Sequence, residues 1–331
     1  MEQRTQDSRS ASPVDELNWG RLADWAELVR LPNIFTLISN CIVAALVAID
    51  SLGPGLTFVP VLLASMFFYW AGMILNDVVD IEKDREHRPS RPLPSGRISP
   101  VVAGHVATGF LLISPIIVLA ITNFRKTPPL WMGAAFGSAV LLSLSIRAYD
   151  SILKSTPIAP ILMGLCRTLN ILMVGFTCLA LNAAETLPPP LLAYSAAIGI
   201  YIFGVTIFAR REDRQSWRAQ LVFGLLFVLA GLTVIAILPR WAPENRNWPL
   251  PPLGGYLILV TLLGLTVAHR AVAAIAHPVP RKVQLSVRHA ILSLIFIDAT
   301  VGLMWGGTWY GILIVLLLLP TFASALKYRS T

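Results

Sequence analysis

The residues with the most chemistry to offer lie together, in Asn76-Asp77-Val78-Val79-Asp80-Ile81-Glu82-Lys83-Asp84-Arg85. They follow Ala71-Gly72-Met73-Ile74-Leu75 with no turn signal between, so a helix is expected to run on through them. On a continuous helix Asn76, Asp80 and Asp84 stand four apart on one face, and Asp77, three before Asp80, joins them. Like charges at that spacing destabilise a helix unless something positive compensates. Hard oxygen donors of this kind suit Mg²⁺ rather than zinc or copper. Mg²⁺ usually combines one or two carboxylates with substrate phosphates, which makes a diphosphate the natural second partner. The plainer alternative is a solvated helix end whose acids pair with Lys83, Arg85 and Arg88. Two features argue against it. The acids begin at the last turn of an apolar run, where ionised groups are costly and usually functional. Val78, Val79 and Ile81 fall on the other side, so the acids are segregated.

Just downstream, His87-Arg88-Pro89-Ser90-Arg91-Pro92-Leu93-Pro94-Ser95-Gly96-Arg97 is rich in proline and arginine. Basic residues here serve as anchors on the positive side of a membrane. A Pro-rich loop beside an acidic site is also placed to cap a cavity and offer arginine to phosphate.

The elements that must position these groups are membrane spans. The chain has 331 residues, 55% hydrophobic and 13% charged, with mean hydropathy +0.68. A soluble domain carries about 25% charged residues, so lipid must cover much of this surface. Apolar stretches long enough to cross fall near 33–50, 56–76, 101–122, 130–148, 158–182, 189–209, 219–238, 253–273, 287–306 and 308–326. Only Gly306, Gly307 and Thr308 separate the last two, so the expectation is an all-α, polytopic membrane bundle of nine or ten helices. Residues 1–20 read as a disordered tail and 21–331 as one transmembrane domain.

With ten spans and the N-terminus in the cytoplasm, the tail, the inner loops and the C-terminus hold 21 Lys and Arg. The outer loops hold four: Arg125, Lys126, Arg240 and Arg246. This asymmetry sets the orientation, with the acidic motif on the cytoplasmic side of a prokaryotic-type inner or plasma membrane. It also accounts for the net charge of +8 without a nucleic-acid partner. Cys41, Cys166 and Cys178 lie in apolar runs without metal or disulfide spacing. The five histidines are dispersed, and no GxSxG, Walker A or GxGxxG motif is present in a fitting context.

Several polar groups fall inside spans. Arg167 and Asn170 are three apart on one face, and an intramembrane arginine needs a partner. The acidic cluster or a diphosphate is the obvious one, and pairing with carbonyls is the structural alternative. Asp298 is a second buried charge, either functional or bridging helices. Asn33 and Asn40 line a cavity or bond between helices.

Asn76-Asp77-x-x-Asp80-x-x-x-Asp84 followed by Arg91-Pro92-Leu93-Pro94-Ser95-Gly96 resembles the first aspartate-rich motif of the UbiA superfamily of intramembrane prenyltransferases. Tyr149-Asp150-x-x-x-Lys154-x-Thr156-x-x-x-Pro160-x-x-x-Gly164 is similar to that family's Tyr…Lys-x-Thr…Pro…Gly stretch, and Arg30-Leu31-Pro32-Asn33 to its opening. Gly164-Leu165-Cys166-Arg167 and Leu294-Ile295-Phe296-Ile297-Asp298-Ala299 resemble most the EboC-like branch. The resemblance implies helices around a central cavity open sideways to lipid. It implies Mg²⁺-assisted transfer of a prenyl group from a prenyl diphosphate to a hydrophobic, often aromatic acceptor. By that analogy Asn76, Asp77, Asp80 and Asp84 bind metal-diphosphate, Arg88, Lys154, Arg167 and Arg210 assist phosphate, and Tyr149 orients or shields the allylic cation.

The family's second Asp-x-x-x-Asp motif would fall at Val205-Thr206-Ile207-Phe208-Ala209-Arg210-Arg211-Glu212-Asp213. Its first aspartate is absent, Glu212 or Asp213 stands for the second, and Arg210 and Arg211 bring positive charge. Arginine binds phosphate directly and can take over a metal's task there. Two other readings stay open: a catalytically altered carrier or scaffold for a lipid or metabolite, and an ion-coupled transporter using Asp80 and Asp298.

Overall fold

The computed structural model describes residues 18–54, 56–123, 128–212, 215–243 and 246–327, so most of the expected N-terminal tail and Asp213 lie outside the described residues. Among them the regular elements are all helical. Short α1 (Leu22–Leu28) precedes α2 (Ile34–Ile49), α3 (Phe58–Val79) and the short α4 (Ile81–His87). Then follow α5 (Pro100–Asn123), α6 (Pro129–Ala148), α7 (Ala159–Leu181), α8 (Pro189–Ala209) and α9 (Arg218–Ala236). The chain ends with α10 (Leu257–Ala276), α11 (Pro280–Gly306), α12 (Thr308–Leu316) and α13 (Leu318–Lys327). Proline opens α5, α6, α8 and α11, where its missing N–H costs nothing.

Ten stretches among the described residues are long and apolar enough to cross a bilayer, the last being Thr308–Lys327 through α12 and α13. The division at the end of the chain is therefore real. Gly307 adopts φ +88 and turns the chain there, a conformation that suits glycine. α11 starts seven residues before the apolar run does, because Arg281, Lys282 and Gln284 extend it beyond the apolar layer.

The expected unbroken helix through the acidic motif is not observed. α3 ends at Val79, Asp80 sits between helices at φ −84, ψ 4, and α4 begins at Ile81. Backbone bonds still cross the break, from Asp80 N to Asn76 O at 3.1 Å and from Asp84 N to Asp80 O at 2.8 Å. The break relieves the repulsion that one continuous face would impose, because it lets the acids reach different cations.

Helices adjacent in sequence pack side by side from α5 to α11, while α2 lies against both α7 and α11. α2 and α11 are the most enclosed spans, and the last span is the most open to lipid. α8 is held tightly between α7 and α9. A Cβ on Gly204 would lie 2.6 Å from the Gly224 carbonyl oxygen, and one on Gly224 would lie 2.8 Å from that of Gly204. Such close backbone approach is the usual role of small residues between membrane helices. Gly204→Leu is expected to force α8 from α9 and lower stability by about 1–3 kcal/mol, the usual cost of overpacking. Thermal unfolding of the purified protein measures it.

Candidate functional site

A cavity of about 330 Å³ opens between α2, α3, α6, α7 and α8. Its wall changes character with depth. At the charge-rich end stand Arg30, Asn76, Tyr149 and Asp150; further in come Tyr69, Phe68, Met73, Leu142 and Ile202. Arg167, Asn170 and Ser65 also line it.

Beside the cavity's charged end every motif carboxylate is paired with a cation. Asp77 meets Arg30 at 3.1 Å and Arg91 at 3.6 Å. Asp84 accepts from Arg91 Nη1 at 2.7 Å. These groups are well enclosed, with side-chain exposures of 7% for Asp77, 8% for Asp84 and 12% for Arg91. Asp80 accepts from Lys154 Nζ at 2.5 Å, and the same ammonium donates to the Asn76 carbonyl at 3.3 Å. Asn76 Nδ2 donates to Asp77 Oδ1 at 3.3 Å. Asp77 and Asp84 thus share Arg91, while Asp80 turns to Lys154. Among the described residues no three His, Cys, Asp or Glu side chains converge on one metal position in this arrangement.

Arg30 reaches Asp77 because residue 30 takes a left-handed turn, φ 49 and ψ 56, between α1 and the start of the first span. Lys154 follows a π-helical turn over Tyr149–Leu153 that ends α6. Such turns are rare and frequently found at functional sites. This one brings Tyr149 and Asp150 to the cavity wall.

Asp150 is 3% exposed, and its Oδ1 has no hydrogen-bond partner. Among the charges acting on it are Lys154, Asp80, Asp77 and Arg147. A buried carboxylate oxygen left without a donor is costly, and a functional role accounts for its retention.

The expected site residues therefore separate. Asn76, Asp77, Asp80, Asp84 and Lys154 form one cluster; Asn76 and Tyr149 line the cavity, Asp77 adjoins it through Arg30, and Asp80, Asp84 and Lys154 stand outside its wall. Arg88 is exposed at the end of α4, and Arg210 is exposed at the end of α8. Neither lines the cavity. The backbone carbonyl of Glu212 accepts from Gln284 Nε2 at 3.1 Å, and its side chain is not on the cavity wall. Arg211 stacks on Trp217, 3.6 Å from the ring centroid. Arg167 lines the cavity, but its hydrogen bond goes to Thr36 Oγ1 at 3.3 Å and its foremost charged neighbour is Asp298, not the acidic motif.

Sequence reasoning noticed Arg91 only as one arginine of the Pro-rich loop, and passed over Arg30 and Asp150 as site residues. Each stood within a motif already noted, and the signal was their adjacency to Asn33, Pro92 and Tyr149 in those motifs.

A clasp ties the N-terminal segment to the loop after α4. Arg97 donates to Asp24 at 2.5 Å and Glu27 at 2.9 Å, joining the loop after α4 to α1. Ser99 N donates to the Asn18 carbonyl at 2.8 Å, and Asn18 Nδ2 to the Gly96 carbonyl at 2.9 Å. Burial works against ionisation of Asp24. The Arg21 backbone N–H and the Arg97 guanidinium outweigh it and hold the carboxyl below its ordinary value. The hydrogen bond to Glu27 in turn raises Arg97.

The bundle defines an integral, multi-pass membrane protein with a cavity that is polar at one end and apolar further in. The family model described as the UbiA prenyltransferase family matches residues 37–277, and the chain belongs to that family. A digeranylgeranylglyceryl phosphate synthase of Methanobrevibacter smithii is 30% identical over 154 residues, covering 46% of this chain and 52% of the relative. The enzyme of that name from Ignicoccus hospitalis is 28% identical over 255 residues, 74% of this chain and 79% of the relative. The chain spans about half the length of several curated relatives it matches. A solved digeranylgeranylglyceryl phosphate synthase superposes with TM-score 0.59 at 20% identity, covering 87% of this chain and 99% of that one. A UbiA homologue from Archaeoglobus fulgidus bound to GPP and Mg²⁺ gives 0.53 at 13% identity, covering 82% and 99%. These likenesses establish the shared fold.

Proposed function

We propose that this protein transfers a prenyl group from a prenyl diphosphate to a hydrophobic acceptor within the membrane, with Mg²⁺. The observation that carries the reading is the cluster of Asn76, Asp77, Asp80 and Asp84, interleaved with Arg30, Arg91 and Lys154, beside a chamber that Asn76 and Arg30 line and whose walls become apolar. The donor set fits magnesium. It consists of hard oxygens, and Asp150 Oδ1 beside them lacks a partner. Bound there, Mg²⁺ supplies positive charge against the departing diphosphate.

The remaining work falls to the chain itself. Arg30, Arg91 and Lys154 exchange their carboxylates for phosphate oxygens, for which arginine's fork is well suited. Asp77, Asp80 and Asp84, released from their cations in the same exchange, are the residues that would hold Mg²⁺. Tyr149 presents its ring to the carbon end of the breaking bond and steadies the developing allylic cation. Phe68, Met73, Leu142 and Ile202 keep water from that cation, so that the acceptor captures it instead. The charge-rich end faces the cytoplasm by the positive-inside bias.

The direct test is incubation of the purified protein with labelled prenyl diphosphates, Mg²⁺ and membrane extract, followed by mass analysis. Metal-dependent release of diphosphate together with a prenylated product is the expected result. Binding of the diphosphate without release would favour a carrier, a reading supported by the degenerate second acidic motif. Asp150→Asn is expected to leave thermal stability unchanged or higher while turnover falls, because the orphaned charge is removed. Unchanged turnover would take Asp150 out of the site.

A further inference from the structure

Among the described residues, three cavity-lining side chains away from the mouth have hydrogen-bonding capacity that the fold leaves unspent. Ser65 Oγ and Asn170 Oδ1 are buried and have no partner. Asn170 is 3% exposed, and its Nδ2 donates only to the Cys41 sulfur at 3.6 Å, a weak acceptor. Arg167, one turn before Asn170 on α7, uses one donor toward Thr36 Oγ1 at 3.3 Å and forms no ion pair. Asp298, its foremost charged neighbour, is already engaged by Ser39, Asn40 and Tyr194 at 2.5, 2.7 and 2.7 Å.

These groups do not belong to the ionic mouth. Ser65 precedes Asn76 by eleven residues on α3, about 16 Å along the axis. Leaving one buried polar group unsatisfied is costly. Two such groups, on α3 and α7, facing the same chamber beside an arginine with unused donors make a polar pole that folding alone does not require.

We propose that this pole is the acceptor subsite, and that it takes a compact anionic group, carboxylate or phosphate, with a hydroxyl beside it. The inference rests on the prenyl-transfer reading and assigns the half of the reaction that reading leaves open. Arg167 holds the anion through its unused donors. Asn170 Oδ1 accepts from the adjacent hydroxyl, and Ser65 does either. The diphosphate keeps Arg30, Arg91 and Lys154 at the mouth, so the two substrates enter with their charged ends on different cations. Arg167 accordingly serves the acceptor and not the diphosphate.

The test is calorimetric binding to the full protein in nanodiscs. The probes are phenylacetate, phenyl phosphate, mandelate and the neutral phenylacetamide, with a prenyl diphosphate plus Mg²⁺ titrated separately. The anions are expected to bind at least tenfold more tightly than phenylacetamide, whether carboxylate or phosphate is preferred, and mandelate more tightly than phenylacetate. Arg167→Gln should lower anion affinity at least tenfold and leave prenyl diphosphate affinity unchanged. Asn170→Leu should abolish mandelate's advantage without loss of thermal stability, and it keeps the test decisive should Arg167→Gln fail to fold. Equal binding of the neutral probe, or anion binding unaffected by both variants, overturns the subsite. Loss of prenyl diphosphate binding in Arg167→Gln with probe binding intact overturns it too, returning Arg167 to the diphosphate while the enzymatic reading stands. Retained anion binding in a protein that binds no prenyl diphosphate would sink the enzymatic reading and leave the polar pole in place.

Discussion

Asp84→Ala and Asp80→Ala are each expected to lower prenyl transfer by about 10²–10³-fold, the scale on which removing one electrostatic stabiliser acts. The two variants fail for related reasons. Without Asp84, the side chain of Arg91 keeps only the longer contact to Asp77 at 3.6 Å. Without Asp80, Lys154 keeps only the Asn76 carbonyl among its hydrogen bonds. In both cases the mouth loses a carboxylate for the metal and gains an unmatched cation, which binds diphosphate in the ground state as well as in the transition state. The expected signature is a fall in kcat larger than any rise in KM. Turnover measured on protein shown to be inserted in the membrane decides the matter. Wild-type-like rates in both variants would remove the acidic motif from the reaction.

Arg91→Leu is expected to lower stability sharply, in addition to weakening the hold on diphosphate. Its guanidinium is the cation shared by Asp77 and Asp84, and all three side chains are largely enclosed. Removing one member of such a set strands a buried charge, at about 3–5 kcal/mol. Asp77 retains Arg30, so Asp84 bears most of the loss. Adding Asp84→Asn to Arg91→Leu should therefore restore much of the stability. Thermal unfolding of the single and double variants measures the coupling. Additive losses would show that Arg91 contributes through packing alone.

Much of the architecture was legible in the sequence because it is written in the length of apolar runs. The spans end close to where hydropathy falls, and Pro280 marks a helix start that hydropathy misses because Arg281, Lys282 and Gln284 are polar. Gly307 was visible as a residue, but its φ of +88, which settles ten spans over nine, was not. The acidic motif was legible as a cluster of carboxylates, and its backbone geometry was misjudged. Four-residue spacing cannot distinguish an unbroken helix from one interrupted at Asp80, since backbone bonds span the break in either case. Cation choice was not legible at all. Arg30 lies 47 residues from Asp77 and Lys154 lies 74 from Asp80, and only the packed bundle brings them together. Asp150 was hidden for the opposite reason. Its distinguishing feature is a missing hydrogen bond, and a sequence records residues, never the partners they lack.

The clasp from Arg97 to Asp24 and Glu27 ties together segments 73 and 70 residues apart. Neither segment can move away from the other without breaking both ion pairs, so α1 and the loop after α4 are obliged to shift as one body.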